Sequence, residues 1–502
     1  MAGAELPPSL SGTSSGASAA GAPGEPPGGG GDALAGGRLE RVAAAFTRWS
    51  ERWIPDAFVF ALVATVAVVL AGAASGAGLG TVVGFWGDGF WELLPFTLQM
   101  ALVIILGHVL ATTGPIFRVI AWLAARPTTP RGGVALVTVF ALLASWFNWG
   151  FGLIFSALLA REVARRIAGV DYRALGAASL LGLGSIWAQG LSGSAALQMA
   201  SATSMPAATR AIVAGSQGQI AGGVIPLSRT IFLPQSLVSV VIEIVVVTAV
   251  MTLATPSPSR ARTAAQLGVD LGDSPLDRPD PERRGTPGDW LEHSPVLSVL
   301  FVAGAGVYLW RALVHGGQGL GGLTLNVVNL AFLTLGFALH RTPARLMRAV
   351  REATPGAWAV ILQFPFYAGI AAVMTHTSLS ATLAHAFVRV SSPGSFPAVV
   401  ALYSAVLGVL VPSGGSKWVI EAPYVMQAAH DLRVHLGWMV AVYDLGEALA
   451  NLVQPFWMLP VLGLLGLRAR DVMGYTFLVF VVLTPLVLAL VTVLGATLAY
   501  PL

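Results

Sequence analysis

The sequence predicts an all-α polytopic membrane protein. It reads as an inverted-topology repeat with about nine spanning helices and two re-entrant helical hairpins. Three observations lead there. Of 502 residues, 55% are hydrophobic and only 10% charged, with a mean hydropathy of +0.75, against about 25% charge in a soluble domain. The charge is also clustered: residues 1–53, 256–293 and 341–352 hold 9, 12 and 5 of the charged residues. The rest of the chain has too little charge to solvate a globular surface. Third, several long apolar stretches are interrupted midway, and the interruptions recur at a near-constant offset. Together these exclude an ordinary soluble enzyme.

The elements follow in order. Residues 1–36 are Ala, Gly, Pro and Ser with a few acids. They lack a basic n-region and an apolar h-region, so they read as a disordered tail and not a signal peptide. Apolar stretches then fall near 55–74, 92–113, 132–166, 174–203, 226–254, 295–313, 323–340, 357–377, 397–428, 437–466 and 474–499. A span needs about 20 residues. The 132–166 stretch breaks at Asn148-Trp149-Gly150-Phe151-Gly152 and is basic at both ends, with Arg126 and Arg131 before and Arg161, Arg165 and Arg166 after. Its arms fall short of a full crossing, so it reads as a hairpin entering and leaving on the cytoplasmic side. Treating 397–428 as a second hairpin leaves nine crossings. With the N-terminus inside and the C-terminus outside, 22 of the 28 basic residues are cytoplasmic, as the positive-inside rule requires. The expected units are a first membrane repeat at 37–255, a cytoplasmic linker at 256–293 and a second repeat at 294–502.

Self-comparison supports two halves. Gln99-Met-Ala-Leu-Val pairs with Gln363-Phe-Pro-Phe-Tyr at an offset of 264 residues. The Asn148 break pairs with Pro412-Ser-Gly-Gly-Ser at the same offset, and Gln189 with Gln454 at 265. In the expected topology the paired segments run in opposite directions. Paired interrupted helices of this kind mark a midplane site in secondary transporters. A helix broken in hydrocarbon leaves unpaired N–H and C=O groups, tolerated where they line a cavity, and the exposed helix N-termini favour anions.

Several motifs carry a resemblance: Gly87-Asp-Gly-Phe-Trp91, Asn148-Trp-Gly-Phe-Gly152, Arg161-Glu-Val-Ala-Arg-Arg166, Thr324-Leu-Asn-Val-Val-Asn329, Gln363-Phe-Pro-Phe-Tyr-Ala-Gly369, Val411-Pro-Ser-Gly-Gly415 and Gln454-Pro-Phe-Trp457. Over roughly residues 48–499 the chain resembles the bacterial short-chain fatty acid transporter family, which is similar to the wider ion-transporter superfamily. The resemblance implies scaffold and transport domains, two hairpins, elevator-type movement, a homo-oligomer, and uptake of acetoacetate- or butyrate-like monocarboxylates. The Ser-Asn-Thr signature of the dicarboxylate branch is absent from both tips, so its sodium sites do not carry over.

The candidate site residues sit at the breaks. Asn148, Gly150, Ser413, Gly414, Gly415 and Ser416 occupy the two tips; Gln189, Ser192 and Ser194 flank a third break; Gln363 pairs with Gln99 in the repeat. Each polar one either meets substrate or caps an interrupted helix. Lys417 is the only lysine in the chain. An intramembrane cation is costly and usually functional; it either meets a carboxylate substrate or pairs with Glu421, one turn on. Glu447, Asn451 and Gln454 share a helical face before Pro455. Glu447 there either carries a coupling proton or sodium ion, or packs between helices with the other two. Glu243, alone in an aliphatic span, reads as facing a partner helix, and His108 as a satisfied interior histidine. Arg345, Arg348 and Arg351 form a basic stripe suited to anionic lipid.

No cofactor or metal is expected. There is no Cys and no P-loop Gly-Lys-Ser/Thr, and no catalytic cluster with two His and an acid on facing helices. The basic pI of about 9.7 reflects arginines flanking apolar runs and not nucleic-acid binding. The expected function is secondary active transport of short-chain monocarboxylates across the cytoplasmic (inner) membrane. The alternative is an exporter or exchanger of other organic anions.

Overall fold

The computed structural model describes residues 57–202, 204–205, 207–216, 220, 223–271, 285–315, 325–410, 414–454 and 456–502. The tail expected at 1–36, the tip residue Ser413, the Ser416 side chain, Pro455 and residues 272–284 of the expected linker lie outside them. Among the described residues the chain forms 21 α-helices and no strand, the all-α architecture read from composition.

The first half begins with α1 (Ala57–Ala74), α2 (Leu79–Gly89), α3 (Leu94–Ala111) and α4 (Gly114–Ala124). It continues through α5 (Pro130–Phe147), α6 (Trp149–Arg166), α7 (Tyr172–Ser185), α8 (Ser194–Met199), α9 (Ala207–Gly215) and α10 (Pro234–Ala254). The short α11 (Pro287–His293) precedes α12 (Val296–Trp310), α13 (Leu325–His340), α14 (Pro343–Ala353), α15 (Trp358–His376) and α16 (Leu379–Val390). Then come α17 (Phe396–Leu410), α18 (Gly414–Asp431), α19 (Leu436–Ala450), α20 (Leu459–Leu465) and α21 (Ala469–Gly495).

Local chemistry sets the boundaries. Thr129 caps α5 by accepting from the Gly132 N–H at 3.1 Å, with Pro130 at the first helical position. Proline suits that position because its missing N–H would have no helical partner anyway. Asp171 caps α7 from the Ala174 N–H at 3.0 Å. Four helices are long and apolar enough to cross a membrane: Pro130–Phe147, Pro234–Ala254, Val296–Leu313 and Ala469–Gly495. Two further segments pass as bent pairs, α3 with α4 at 68°, and α7 with Trp187–Met199 at 44°. Shorter apolar helices lie at Ala61–Ala74, Asn326–His340, Ile361–His376 and Phe396–Val409.

Burial separates lining from interior. In α12 only Ser298 is buried, and Val299, Leu300 and Val307 are exposed, as a lipid-facing helix requires. In α10 the buried residues Ser236, Ser239, Val240, Glu243, Val247 and Met251 form a single stripe. By contrast every residue of α19 is buried, and every residue of α7 except Arg173. These two enclosed helices each pack against the first arm of the interrupted segment before them, α5 on α7 and α17 on α19.

The 256–293 segment departs from a purely solvated connector. Its first part docks on the basic end of the first hairpin. The Tyr172 N–H donates to Arg262 O at 2.9 Å, and the Arg262 N–H to Asp171 Oδ2 at 3.0 Å. The Arg161 and Arg165 guanidiniums both donate to Leu271 O. Backbone carbonyls of this segment thus hold the arginines at the end of the first hairpin.

Candidate functional site

Four interruptions meet at one place. The first is the hairpin tip between α5 and α6. Asn148 is extended (φ −156°, ψ 122°), so it ends one helix and starts the next. Its N–H donates to Ala144 O at 2.8 Å and its Oδ1 accepts from the Phe151 N–H at 2.8 Å. The Trp149 N–H donates to Ser192 Oγ at 2.9 Å. Ser192 belongs to the second interruption, Gly190–Gly193, which follows the 3-10 turn Trp187–Gln189. Gly190 is required there: a Cβ would stand 2.0 Å from Trp146 O, while the Leu191 N–H donates to that same oxygen at 2.8 Å.

The third interruption is the start of α18. Gly414 lies against the Trp187 ring and the Glu447 side chain; a Cβ would come within 2.7 Å of the first and 3.3 Å of the second. Its carbonyl accepts from the Tyr443 hydroxyl at 2.5 Å, and the Gly415 carbonyl from Gln198 Nε2 at 3.0 Å. The fourth follows α19. There Asn451 donates to Leu183 O at 3.3 Å, and Gln454 Nε2 to Asn451 Oδ1 at 2.7 Å.

A partly open cavity lies among them. Its walls are aromatic: Trp149, Trp187, Trp457 and Phe364, with Met100 and Leu183. Trp149 stands edge-on to Trp187 at 6.3 Å and to Trp457 at 5.1 Å. Ser194, Gly414 and Gly415 complete the lining. Three donors on lining residues, Ser194 Oγ, Trp149 Nε1 and Trp187 Nε1, are buried with no hydrogen-bond partner among the described residues. Gly414 and Gly415 open an 18-residue helix, whose first N–H groups have no intrahelical acceptor and mark the positive end of its dipole.

Behind the glycines sits a buried charge cluster. Lys417 is fully buried; its Nζ lies 2.6 Å from Glu447 Oε2 and 3.2 Å from Glu421 Oε1, and donates to Ser404 O at 2.7 Å. The Tyr443 ring lies 4.6 Å from the ammonium. Glu421 Oε2 accepts from Ser404 Oγ at 2.7 Å. Asp444, also buried, interacts electrostatically with Glu447 and Lys417. One ammonium thus serves three carboxyl groups.

Ser194, Gly414 and Gly415 line the cavity. Asn148, Gly150 and Ser192 build the first tip beside it, with Gly150 against Val103 O of α3. Lys417 and Glu447 form the cluster, together with Glu421. Gln363 is buried next to the lining residue Phe364, and its Oε1 accepts from the Tyr367 hydroxyl at 3.4 Å. Asn451 and Gln454 bind each other at the fourth break. Gln189 turns away and donates to Glu243 at 2.8 Å. Trp187, Trp457, Met100 and Phe364 are lining residues that sequence reasoning missed. Trp187 and Trp457 flank interruptions already identified, which was the available signal; Met100 and Phe364 each sit one residue beyond the paired glutamines Gln99 and Gln363. Trp418, four residues beyond the start of α18, is fully buried against Tyr443 at 4.6 Å.

Known proteins complete the picture. A solved structure of the YdaH transporter of Alcanivorax borkumensis, described as having an unusual topology, superimposes with a TM-score of 0.50 at 14% identity, covering 87% of this chain and 98% of that one; the likeness is one of fold. A protein of Escherichia coli (strain K12) is 36% identical over 439 residues, covering 87% of this chain and 96% of its own length. Another, from Haemophilus influenzae (strain ATCC 51907 / DSM 11121 / KW20 / Rd), is 34% identical over 458 residues, covering 89% and 98%. Both are named provisionally as short-chain fatty acid transporters. Residues 38–494 match the family described as short chain fatty acid transporter, and the chain belongs to that family.

Proposed function

We propose that the protein is a secondary active carrier of short-chain monocarboxylates such as butyrate and acetoacetate, driven by a proton or sodium gradient across the cytoplasmic membrane. The observation that carries the reading is the small tryptophan-walled cavity with three unpartnered donors, floored by the start of α18. Aromatic walls suit a short alkyl tail. The donors and the helix N-terminus suit a carboxylate, which accepts hydrogen bonds only. Net negative charge behind Gly414 supplies the coupling. At a separation of roughly 6 Å and an effective dielectric of about 20, a second like charge costs about 3 kcal/mol. A substrate anion therefore binds better when the cluster takes up one positive charge, and Glu447, nearest the glycines, is the residue assigned to hold it. The hairpin tips carry the substrate in an elevator movement, with the N-terminus cytoplasmic.

The test is uptake of labelled butyrate and acetoacetate into proteoliposomes, with proton and sodium gradients imposed separately. Saturable accumulation under one gradient names the ion. Failure under both, with competition by larger organic anions, transfers the assignment to an exporter or exchanger.

A further inference from the structure

Glu243 occupies the middle of α10 and is the only charged residue of that helix. It is 1% exposed. Its Oε1 accepts two hydrogen bonds, from Gln189 Nε2 at 2.8 Å and from Ser239 Oγ at 3.0 Å. Glu243 Oε2 and Gln189 Oε1 are both buried and have no hydrogen-bond partner among the described residues. Among the described residues no cation acts on it. The helices packed against α10 are α5, α7 and α21. Their titratable and charged side chains are Arg131 on α5, Tyr172 and Arg173 on α7, and Arg470, Asp471 and Tyr475 on α21. None of these acts on Glu243; the side chains that do are Gln189 and Ser239.

A bare carboxylate in this position would bear a desolvation cost of several kcal/mol with no counter-ion. Each orphaned buried acceptor would add about 1–3 kcal/mol. One proton removes both problems. It neutralises the carboxyl group and supplies the single donor that the Glu243–Gln189 pair lacks. A metal cation would need a shell of oxygens, and the described ones are few: the Glu243 carboxyl, Ser239 Oγ and Gln189 Oε1.

We propose that Glu243 is a proton-carrying site, separate from the Lys417 cluster and read out by Gln189. The proton comes from water on one side of the membrane, forms the Oε2–H bond and returns to water on the other. Gln189 ends the turn that begins at Trp187, a wall of the cavity, and Gly190 follows it in contact with Trp146 O. The protonation state of Glu243 therefore sets the side-chain amide that anchors this interruption. The site stands on its own geometry; its role in coupling rests on the transport reading above.

Infrared difference spectroscopy on the purified full-length protein tests the site without any substrate. The expected result is a protonated-carboxyl C=O band that titrates with pH, shifts in D2O and is missing from Glu243→Gln. A spectrum in which Glu243→Gln retains every carboxyl band overturns the proposal. So does a band that appears only when sodium is withdrawn, which would make this a cation site. Gln189→Leu is the second variant, for the case in which Glu243→Gln fails to fold: the band should titrate at a pH displaced by one unit or more, and an unmoved titration refutes the pairing. In proteoliposomes, accumulation of labelled butyrate under a pH gradient should fall at least tenfold in Glu243→Gln, while butyrate counterflow stays within twofold of the parent. Undiminished accumulation removes Glu243 from coupling. If the parent protein moves no butyrate, the transport reading fails, and the infrared band still decides the proton site.

Discussion

Replacing Lys417 by Met discriminates between two roles for the only lysine in the chain. The ammonium lies 2.6 Å from one carboxylate and 3.2 Å from another, fully buried, and also donates to a backbone carbonyl. At an effective dielectric of about 20 the gross attraction to the two carboxylates is on the order of 10 kcal/mol. Most of it offsets desolvation of the three ions. Removing the cation leaves Glu421 and Glu447 facing each other without compensation, and breaking a buried pair in this way costs roughly 3–5 kcal/mol. The assay is thermal unfolding of the detergent-solubilised protein at a fixed scan rate, because large membrane proteins unfold irreversibly. Lys417→Met should lower the midpoint by several degrees. Adding Glu421→Gln and Glu447→Gln should recover most of the loss, since the charges left stranded are then gone. If Lys417→Met keeps the parent midpoint while abolishing butyrate binding, the ammonium serves the substrate and the charge-balance argument is wrong. If the triple variant is no more stable than Lys417→Met, the loss came from packing and not from stranded charge.

Further outcomes follow from the same geometry. Ser194→Ala should raise the apparent KM for butyrate by roughly tenfold or more, the usual worth of a hydrogen bond to a charged group; an unchanged KM would take this hydroxyl out of the site. Trp187→Ala should enlarge the cavity and shift competition toward longer acids such as hexanoate, measured as inhibition of labelled butyrate uptake. Gly190→Ala should destabilise by about 1–3 kcal/mol or more, because the new methyl meets the Trp146 carbonyl at 2.0 Å; a lowered unfolding midpoint checks it. His435 gives a pH prediction. Its Nδ1 accepts from the Trp438 N–H at 2.9 Å at the start of α19, and burial together with Arg229 pushes its ring down to about 4 from the usual 6.5. The fold therefore keeps this contribution above pH 6.5 and loses it as pH falls toward 4, roughly 3 kcal/mol in all. His435→Asn, a cap that does not titrate, should flatten that part of the stability profile.

Interrupted helices and their chemistry were readable because each break is local. Asn148, Gly190, Gly414 and Gln454 announce themselves by residue type within apolar runs. Spacing alone made the arms of 132–166 too short to cross, whereas the first arm, Pro130–Phe147, is long and apolar enough to do so. The pairing of Lys417 with Glu421 was also visible, since residues four apart share a helical face. Partners across the fold were not. Glu447 stands 30 residues from Lys417, and Glu243 reads as an isolated acid until Gln189, 54 residues earlier, is brought against it. Trp418 and Trp457 both lie within a few residues of a break; one is sealed against Tyr443 and the other faces the cavity.

By itself the sequence determined the membrane class, the helical content, the positions of the breaks and the residue types available at them. Hydrophobic runs and helix-breaking residues act within a few turns of chain, so their consequences are written locally. Only the tertiary structure decided which breaks converge, which tryptophans enclose the cavity and which buried acids have a cation. Burial and charge compensation depend on neighbours supplied by distant segments, and a period of 3.6 residues fixes the face a side chain shares with its own helix but not what that face meets.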